Sequence, residues 1–259
     1  MKIMKLTIIT INYNNLEGLK RTVESVVNQS WQEFEYIIID GGSTDGSAAY
    51  IENQNDKIDY WVSEPDSGIY NAMNKGILKA TGEYLLFLNS GDQLYDLIVL
   101  DENYTFIHSK DLVCFDVFLI YLDSTKIHQY PETLNYEFFM KESIGHPTTF
   151  INRKLFDKVG LYDENLMIVS DWKFFMTSFV KFNCTYKKIN TVLSKYEMNG
   201  ISSIEIDRVN EERQRVLKEH FPEYLRLFIL ERLLKDIKKS RTIIFLQNLG
   251  LLKFISRIN

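Results

Sequence analysis

Leu6-Thr-Ile-Ile-Thr-Ile11 and, after a gap of 24 residues, Tyr36-Ile-Ile-Ile39 frame the stretch that decides the fold. Both runs are short, uncharged and rich in β-branched residues, as expected of strands buried on both faces of a parallel sheet. Between them, residues 16–28 place Leu19, Val23, Val26 and Val27 at helical spacing, so the chain opens with a β-α-β unit. Working outward, Trp61-Val62, residues 84–88 and residues 112–121 read as further strands. Ile69, Ala72, Met73, Ile77 and Ala80 mark a helix ended by Thr81-Gly82, and residues 153–159 and 172–181 read as helices around a loop at 160–171. Strands alternating with helices predict an α/β sheet, mostly parallel and flanked by helices.

Composition bounds the class of protein. The chain has 259 residues, of which 45% are hydrophobic and 25% charged, ordinary globular values that exclude intrinsic disorder and fibrous repeats. A net charge of -5 argues against a general binder of phosphate backbones, so no nucleic acid is expected as a partner. Cys114 and Cys184 sit in apolar stretches without metal-ligand spacing and read as small buried hydrophobes of a reduced, cytosolic protein. The apolar part of the N-terminus is too short for a signal peptide, and no run approaches the roughly 18 apolar residues of a spanning helix.

Four polar segments fall where strands should end, the place where open α/β sheets bind ligands. The first, Thr10-Ile-Asn12-Tyr13-Asn14-Asn15, contains no glycine, so the dinucleotide fingerprint is absent, and no P-loop pattern occurs anywhere. The second is Asp40-Gly41-Gly42-Ser43-Thr44-Asp45-Gly46-Ser47, whose first carboxylate suits the imide N–H of uracil or thymine and whose glycines let backbone approach a ligand. Asp45 reads equally well as the cap of the next helix. The third runs from Glu64 through Asp66-Ser67-Gly68 to Asn74-Lys75-Gly76 and joins a loop to a helix N-terminus, suited to anions, with Lys75 as a point charge for a diphosphate. Asp66 or Ser67 as a plain N-cap is the ordinary alternative. The fourth, Leu88-Asn89-Ser90-Gly91-Asp92, delivers Asp92 from a strand end, as a hard divalent cation beside a diphosphate requires.

Taken in order, Thr-Ile-Ile-Thr-Ile-Asn-Tyr-Asn, Asp-Gly-Gly-Ser-Thr-Asp-Gly-Ser, Asp-Ser-Gly-Ile-Tyr-Asn-Ala-Met-Asn-Lys-Gly and Thr-Gly-Glu-Tyr-Leu-Leu-Phe-Leu-Asn-Ser-Gly-Asp closely resemble the family 2 glycosyltransferases, inverting enzymes with the GT-A nucleotide-diphospho-sugar transferase fold. The resemblance is strong over residues 5 to about 95 and weaker to about 204. It implies that Thr10, Asn12 and Tyr13 line the nucleoside pocket, that Asp40 contacts the base, and that Asp66, Gly68 and Asn74 lie beside the diphosphate and sugar. It implies Mn2+ or Mg2+ at Asp92, although Asn89 and Gly91 stand where many members carry Asp. Ser170-Asp171-Trp172 resembles the segment whose Asp is the general base, so Asp171 is expected to deprotonate the acceptor hydroxyl; its alternative is the N-cap of the following helix. Gly145-His146-Pro147 resembles an acceptor-side segment, which places His146 near metal, diphosphate or acceptor, and Gly200-Ile-Ser202-Ser203 resembles a loop that closes over the donor.

The expected activity is inverting transfer of a sugar from a UDP- or dTDP-sugar to a hydroxyl of a glycan or lipid-linked saccharide. A non-catalytic nucleotide-sugar binder and, further off, a sugar-nucleotide pyrophosphorylase are the competing readings; the latter needs an Arg-bearing Gly-rich loop that is missing after the first strand. The expected domains are 1–204, the transferase, and 205–259, a C-terminal helical extension carrying +4 against -9 for the remainder. Two readings of this tail stand: a helical hairpin packed on its own domain, or peripheral contact through 225–256 with the inner face of the cell membrane. The donor sugar, linkage and oligomeric state stay open.

Overall fold

The structure is a computed structural model that describes residues 5–107, 110–198 and 200–239. The elements in chain order are β1 (Leu6–Asn12), α1 (Leu16–Val27), β2 (Phe34–Asp40), α2 (Ser47–Glu52), β3 (Tyr60–Ser63), α3 (Ile69–Lys79), β4 (Tyr84–Phe87), β5 (Gln93–Leu94) and α4 (Val99–Asn103). There follow β6 (Leu112–Ile120), β7 (Thr125–His128), α5 (Tyr136–Lys141), β8 (Thr149–Asn152), α6 (Lys154–Val159), α7 (Ser170–Val180), β9 (Tyr186–Glu197), α8 (Ile201–Ile204), α9 (Ile206–His220) and α10 (Pro222–Lys239).

The sheet runs β3-β2-β1-β4-β8-β6-β9-β5, with β7 paired to β6. Its first four strands are mutually parallel, as the β-α-β reading requires, and β8 enters antiparallel to both β4 and β6. The second half is thus mixed, with β6 and β9 parallel and β5 and β7 antiparallel to their neighbours. Every residue of β1 is buried. Leu6 and Ile8 join Leu19, Val23 and Val26 of α1 and Tyr36 and Ile38 of β2 in one core. On the other face, a Cβ added to Gly76 of α3 would lie 2.5 Å from Ile9 Cγ2, so the absence of a side chain there sets how closely helix and sheet approach.

The predicted elements of the first half form within a residue or two of their expected bounds. β8 and β9 were not read as strands from the sequence, because β9 carries Lys187, Lys188 and Lys195 in a run without clean alternation. Lys188 is nevertheless buried, its ammonium 2.5 Å from Asp116 of β6 at the point where the β6/β9 register shifts.

Two compact units divide between Glu212 and Arg213. The break falls inside α9. In the second unit, α9 buries Val216 and Leu217, while α10 exposes Leu227, Ile229, Leu230, Leu233, Leu234 and Ile237. The part of the expected helical extension beyond Lys239, including the rest of 225–256, lies outside the described residues. Among the described residues no helix is long and apolar enough to cross a membrane.

Candidate active site

The ends of β1, β2 and β4 meet in one polar network. Asn12, at the end of β1, donates through Nδ2 to Asp40 Oδ1 (2.7 Å) and to Ser43 Oγ (3.2 Å), and its Oδ1 accepts from Ser90 Oγ (2.6 Å). Asp40 is fully buried and accepts three further bonds, from Ser43 N, Ser43 Oγ and Ser63 Oγ. Burial alone would lift its carboxyl, but the Ser43, Ser63 and Asn12 donors outweigh it and hold the group below its ordinary value. Thr10 is likewise buried, with its hydroxyl 3.1 Å from Tyr36 Oη. The resemblance implies that these side chains line a nucleoside pocket; in the structure Asn12 and Asp40 bond each other and Ser43, and Thr10 bonds Tyr36, at or within the strand ends.

Above this frame, Tyr13 is 67% exposed, a ring free to stack on a planar ligand. Gly41 shows how tightly the loops close: an added Cβ would lie 2.5 Å from Asp66 Oδ2 and 3.2 Å from the Tyr13 ring. Asp66 Oδ1 accepts from Gly68 N (2.9 Å), and Gly68, at φ +127°, occupies the cap position of α3. Asp66 and Ser67 therefore do not occupy the cap. Asp45 does brace helix starts, accepting from Ser47 N and Oγ at the head of α2 and from Leu16 N at the head of α1.

Two other residues singled out from the sequence have partners within the chain. Lys75, expected to reach a diphosphate, is 2.8 Å from Glu64 and donates to the Pro65 carbonyl, because both acceptors lie across the loop from its turn of α3. Asn74 is buried and spends its amide on Tyr162 N, Tyr162 O and Glu164 Oε1, which ties α3 to the loop entering α7.

The structure brings together three of the predicted residues from three distant segments. His146 Nδ1 is 3.1 Å from Asp171 Oδ2, and its Nε2 is 4.0 Å from Asp92 Oδ2 and 3.2 Å from Asn89 Nδ2. This geometry suits the imidazole tautomer that donates from Nδ1 to Asp171 and accepts from Asn89 at Nε2. Asp171 lies in the first turn of α7, not at its N-cap, which is Val169. Its Oδ1 accepts from Trp172 N (2.8 Å) and Tyr70 Oη (3.1 Å). Burial would raise the Asp171 carboxyl; the His146 hydrogen bond and charge, with the Trp172 and Tyr70 donors, win and lower it. Burial would lower His146, and the Asp171 and Asp92 carboxylates win and raise it.

Asp92 follows the opposite rule. Burial pushes it up to about 6, against the smaller pull of His146 and Asn89 N, with Glu197 adding to the rise. Thr22 of α1 braces this loop from below, donating to Asp92 O (2.7 Å) and accepting from Gly91 N (2.9 Å). Ser202, on α8, is exposed and 3.1 Å from Tyr196 Oη. The Tyr196 hydroxyl is raised, chiefly by burial and further by the charges of Asp92 and Asp171, against the lowering hydrogen bond of Ser202.

Sequence reasoning missed Tyr70, Asn89 as a partner of His146, and Glu212. Tyr70 stood inside a quoted motif; Glu212 had no local signal, being one of eight acids in the segment 205–259 that read as a helical tail.

Comparison with known proteins places this architecture. The Glycosyl transferase family 2 description matches residues 7–165. An uncharacterized glycosyltransferase of Mycobacterium tuberculosis (strain CDC 1551 / Oshkosh) is 34% identical over 203 residues, 76% of either chain. Among solved structures, S. aureus TarS 1–349 in complex with UDP-GlcNAc superposes with a TM-score of 0.65 at 19% identity, covering 92% of this chain and 74% of that one. In the longer TarS structure this chain spans 44% of the length. A mannosyltransferase from Pyrobaculum calidifontis in complex with GDP-Man and Mn2+ superposes with a TM-score of 0.59 at 14% identity over 95% of this chain and 79% of its own.

Proposed function

Because the chain belongs to glycosyl transferase family 2, we propose that it is an inverting transferase that moves a sugar from a UDP- or dTDP-sugar to a hydroxyl of a glycan or a lipid-linked saccharide. One observation carries the reading: the side chains of Asp171, His146 and Asp92 form a contiguous line, carboxyl, imidazole, carboxyl, at the end of the sheet. In this reading Asp171 accepts the proton of the acceptor hydroxyl, and its lowered value keeps it ionised at neutral pH. His146 and Tyr70 fix the carboxylate's direction, which favours attack on the anomeric carbon from the face opposite the diphosphate. Tyr13 would stack on the base, and Asp66 beside Gly41 would face the nucleotide. Asn12 and Asp40 act beneath, holding the loops that carry them.

The residues at Asp92 fit a divalent cation. Asn89 Oδ1 is buried without a hydrogen-bond partner among the described residues, and Asp92 is a buried carboxylate whose desolvation raises it. Among the described residues no cluster of three or more His, Cys, Asp or Glu could hold a metal by itself. Asp92 and Asn89 Oδ1 would hold Mn2+ or Mg2+ together with the donor's own phosphates. A cation bound there would neutralise the leaving diphosphate.

Calorimetric titration with UDP, dTDP, GDP and ADP, with and without Mn2+, tests the donor site. Binding of UDP or dTDP that Mn2+ strengthens, and that Asp40→Ala abolishes, is the expected result. Absence of nucleotide binding, or a preference for ADP, overturns the donor assignment. Full affinity without turnover on a broad acceptor panel would favour the non-catalytic binder.

Peripheral membrane contact belongs to the same reading. The exposed apolar side chains of α10 recur at 227, 230, 234 and 237, with 229 and 233 beside them, while Lys235 and Lys239 fall on the other side of the helix. Deleting residues 225–259 should remove salt-dependent binding to anionic vesicles. Unchanged binding would dismiss this role.

A further inference from the structure

The loop that delivers Asp171 is latched from three sides. Asn74 holds the backbone of Tyr162, and the single Tyr70 hydroxyl proton is shared between the Ile168 carbonyl (2.5 Å) and, more weakly, Asp171 Oδ1 (3.1 Å). Lys173 pairs with Asp163 at 2.7 Å, and Asp163 N donates to Ser170 Oγ at 2.6 Å. The third side comes from α9. The Glu212 carboxylate accepts the amide N–H groups of Met167 (2.8 Å), Ile168 (3.0 Å) and Val169 (3.3 Å), and Glu212 is 8% exposed.

These three amides immediately precede Ser170, the first residue of α7, so none of them has an acceptor within that helix. Without Glu212 the buried amides of Ile168 and Val169 would be left unmet, and the loop would have to turn them elsewhere. The negative charge also sits at the helix start, where the aligned peptide dipoles favour it. Asp171 lies two residues beyond the last of the three, too close for the backbone to absorb a change in direction. A carboxylate aimed at an acceptor hydroxyl tolerates little misplacement, since about 1 Å can cost about 100-fold in rate.

We infer that Glu212 is a positioning residue for the transfer reaction: its carboxylate fixes the entry of the Met167–Val169 backbone into α7 and so the direction of Asp171. The inference rests on Asp171 as the base. It also makes α9, at least as far as Glu212, part of the catalytic unit rather than of an appended tail.

The test uses the full-length chain and Glu212→Ala, Glu212→Gln and Asp171→Asn, with steady-state transfer, UDP titration and amide hydrogen exchange measured on each. Glu212→Ala is expected to lower kcat by about 100-fold while donor KM and UDP affinity stay within about twofold. The amides of residues 167–169 should exchange faster, with those of β1 and α3 unchanged. Glu212→Gln keeps one acceptor oxygen and should recover kcat to within about tenfold of wild type. An unchanged kcat in Glu212→Ala, a parallel loss of UDP affinity, or an equal loss in Glu212→Gln overturns the inference. Where Glu212→Ala does not fold, Glu212→Asp replaces it, expected to lower kcat about tenfold by withdrawing the carboxylate one methylene; an unaltered kcat there also overturns it. Near-normal turnover by Asp171→Asn marks failure of the base assignment instead, while the exchange data report on the Glu212 latch independently.

Discussion

His146 Nδ1 and Asp171 Oδ2 lie 3.1 Å apart, on segments 25 residues distant in the chain. The contact does two things: it steers one oxygen of the carboxylate, and it couples that carboxylate electrostatically to Asp92 on the far side of the ring. With both oxygens of Asp171 already accepting bonds, its direction is set before any acceptor arrives.

Asp171→Asn should reduce transfer by at least about 1,000-fold, because the amide cannot take a proton in the pH range of the reaction. UDP affinity should stay within about twofold by calorimetry. The variant keeps the shape of the side chain, so a loss of folding is not the expected cause.

The His146–Asp171 pair carries a pH signature. The raised value of His146 means that its stabilisation is complete below the ordinary histidine value and is lost as pH rises through the folded value. The lowered value of Asp171 means that its share is present above the ordinary carboxylate value and is lost as pH falls through the folded one. In His146→Gln the alkaline decline should flatten. Thermal melts from pH 5 to 9 check this: the stability difference between wild type and variant should shrink as pH rises past the histidine range.

Asp92 should behave in reverse. A carboxyl lifted to about 6 favours the folded state while protonated, and that advantage is lost as pH rises from the ordinary carboxylate range through about 6. Asp92→Asn should therefore stabilise the metal-free protein at pH 8, by up to about 3 kcal/mol, and leave it little changed at pH 4. Added Mn2+ should raise the melting temperature of the wild type and not that of Asp92→Asn.

Gly41→Ala should weaken UDP binding about tenfold while changing the melting temperature by only a few degrees. The new methyl would meet Asp66 Oδ2 and the Tyr13 ring, which are flexible side chains, not backbone. Gly82→Ala provides the contrast, since its Cβ would lie 2.6 Å from Thr7 N, and that backbone cannot move without disturbing β1. Its cost should appear in thermal stability, with UDP affinity per folded molecule preserved.

The first half of the fold is legible because local pattern and tertiary environment agree: β1, α1, β2 and α3 each read from their own residues. β9 does not, since burial of Lys188 makes sense only once Asp116 stands beside it on another strand. The site divides in the same way. Asp171, His146 and Asp92 were singled out from motif resemblance alone; that their side chains lie next to one another becomes visible only in the fold. Ser43 lies three residues from Asp40, but the bonds of Asp40 to Asn12 and Ser63, of Thr10 to Tyr36 and of Asn74 to Tyr162 depend on neighbours 23 to 88 residues away, which no local window contains. Glu212 is the extreme instance, an acid on an amphipathic helix whose partners are three backbone amides.

The pairing of β6 with β9 has a kinetic consequence. Asp111 meets Thr185 across 74 positions, whereas Asn12 meets Asp40 across 28. Closing the larger loop costs more chain entropy before any contact rewards it, so the nucleotide-side half should condense first, during synthesis, and the half bearing His146 and Asp171 should follow. In that interval the outer edge of β4 waits for β8 with its amides and carbonyls unpaired, a template for wrong partners. Slow assembly of the second half, more than marginal final stability, is then what would limit the yield of active protein at high expression.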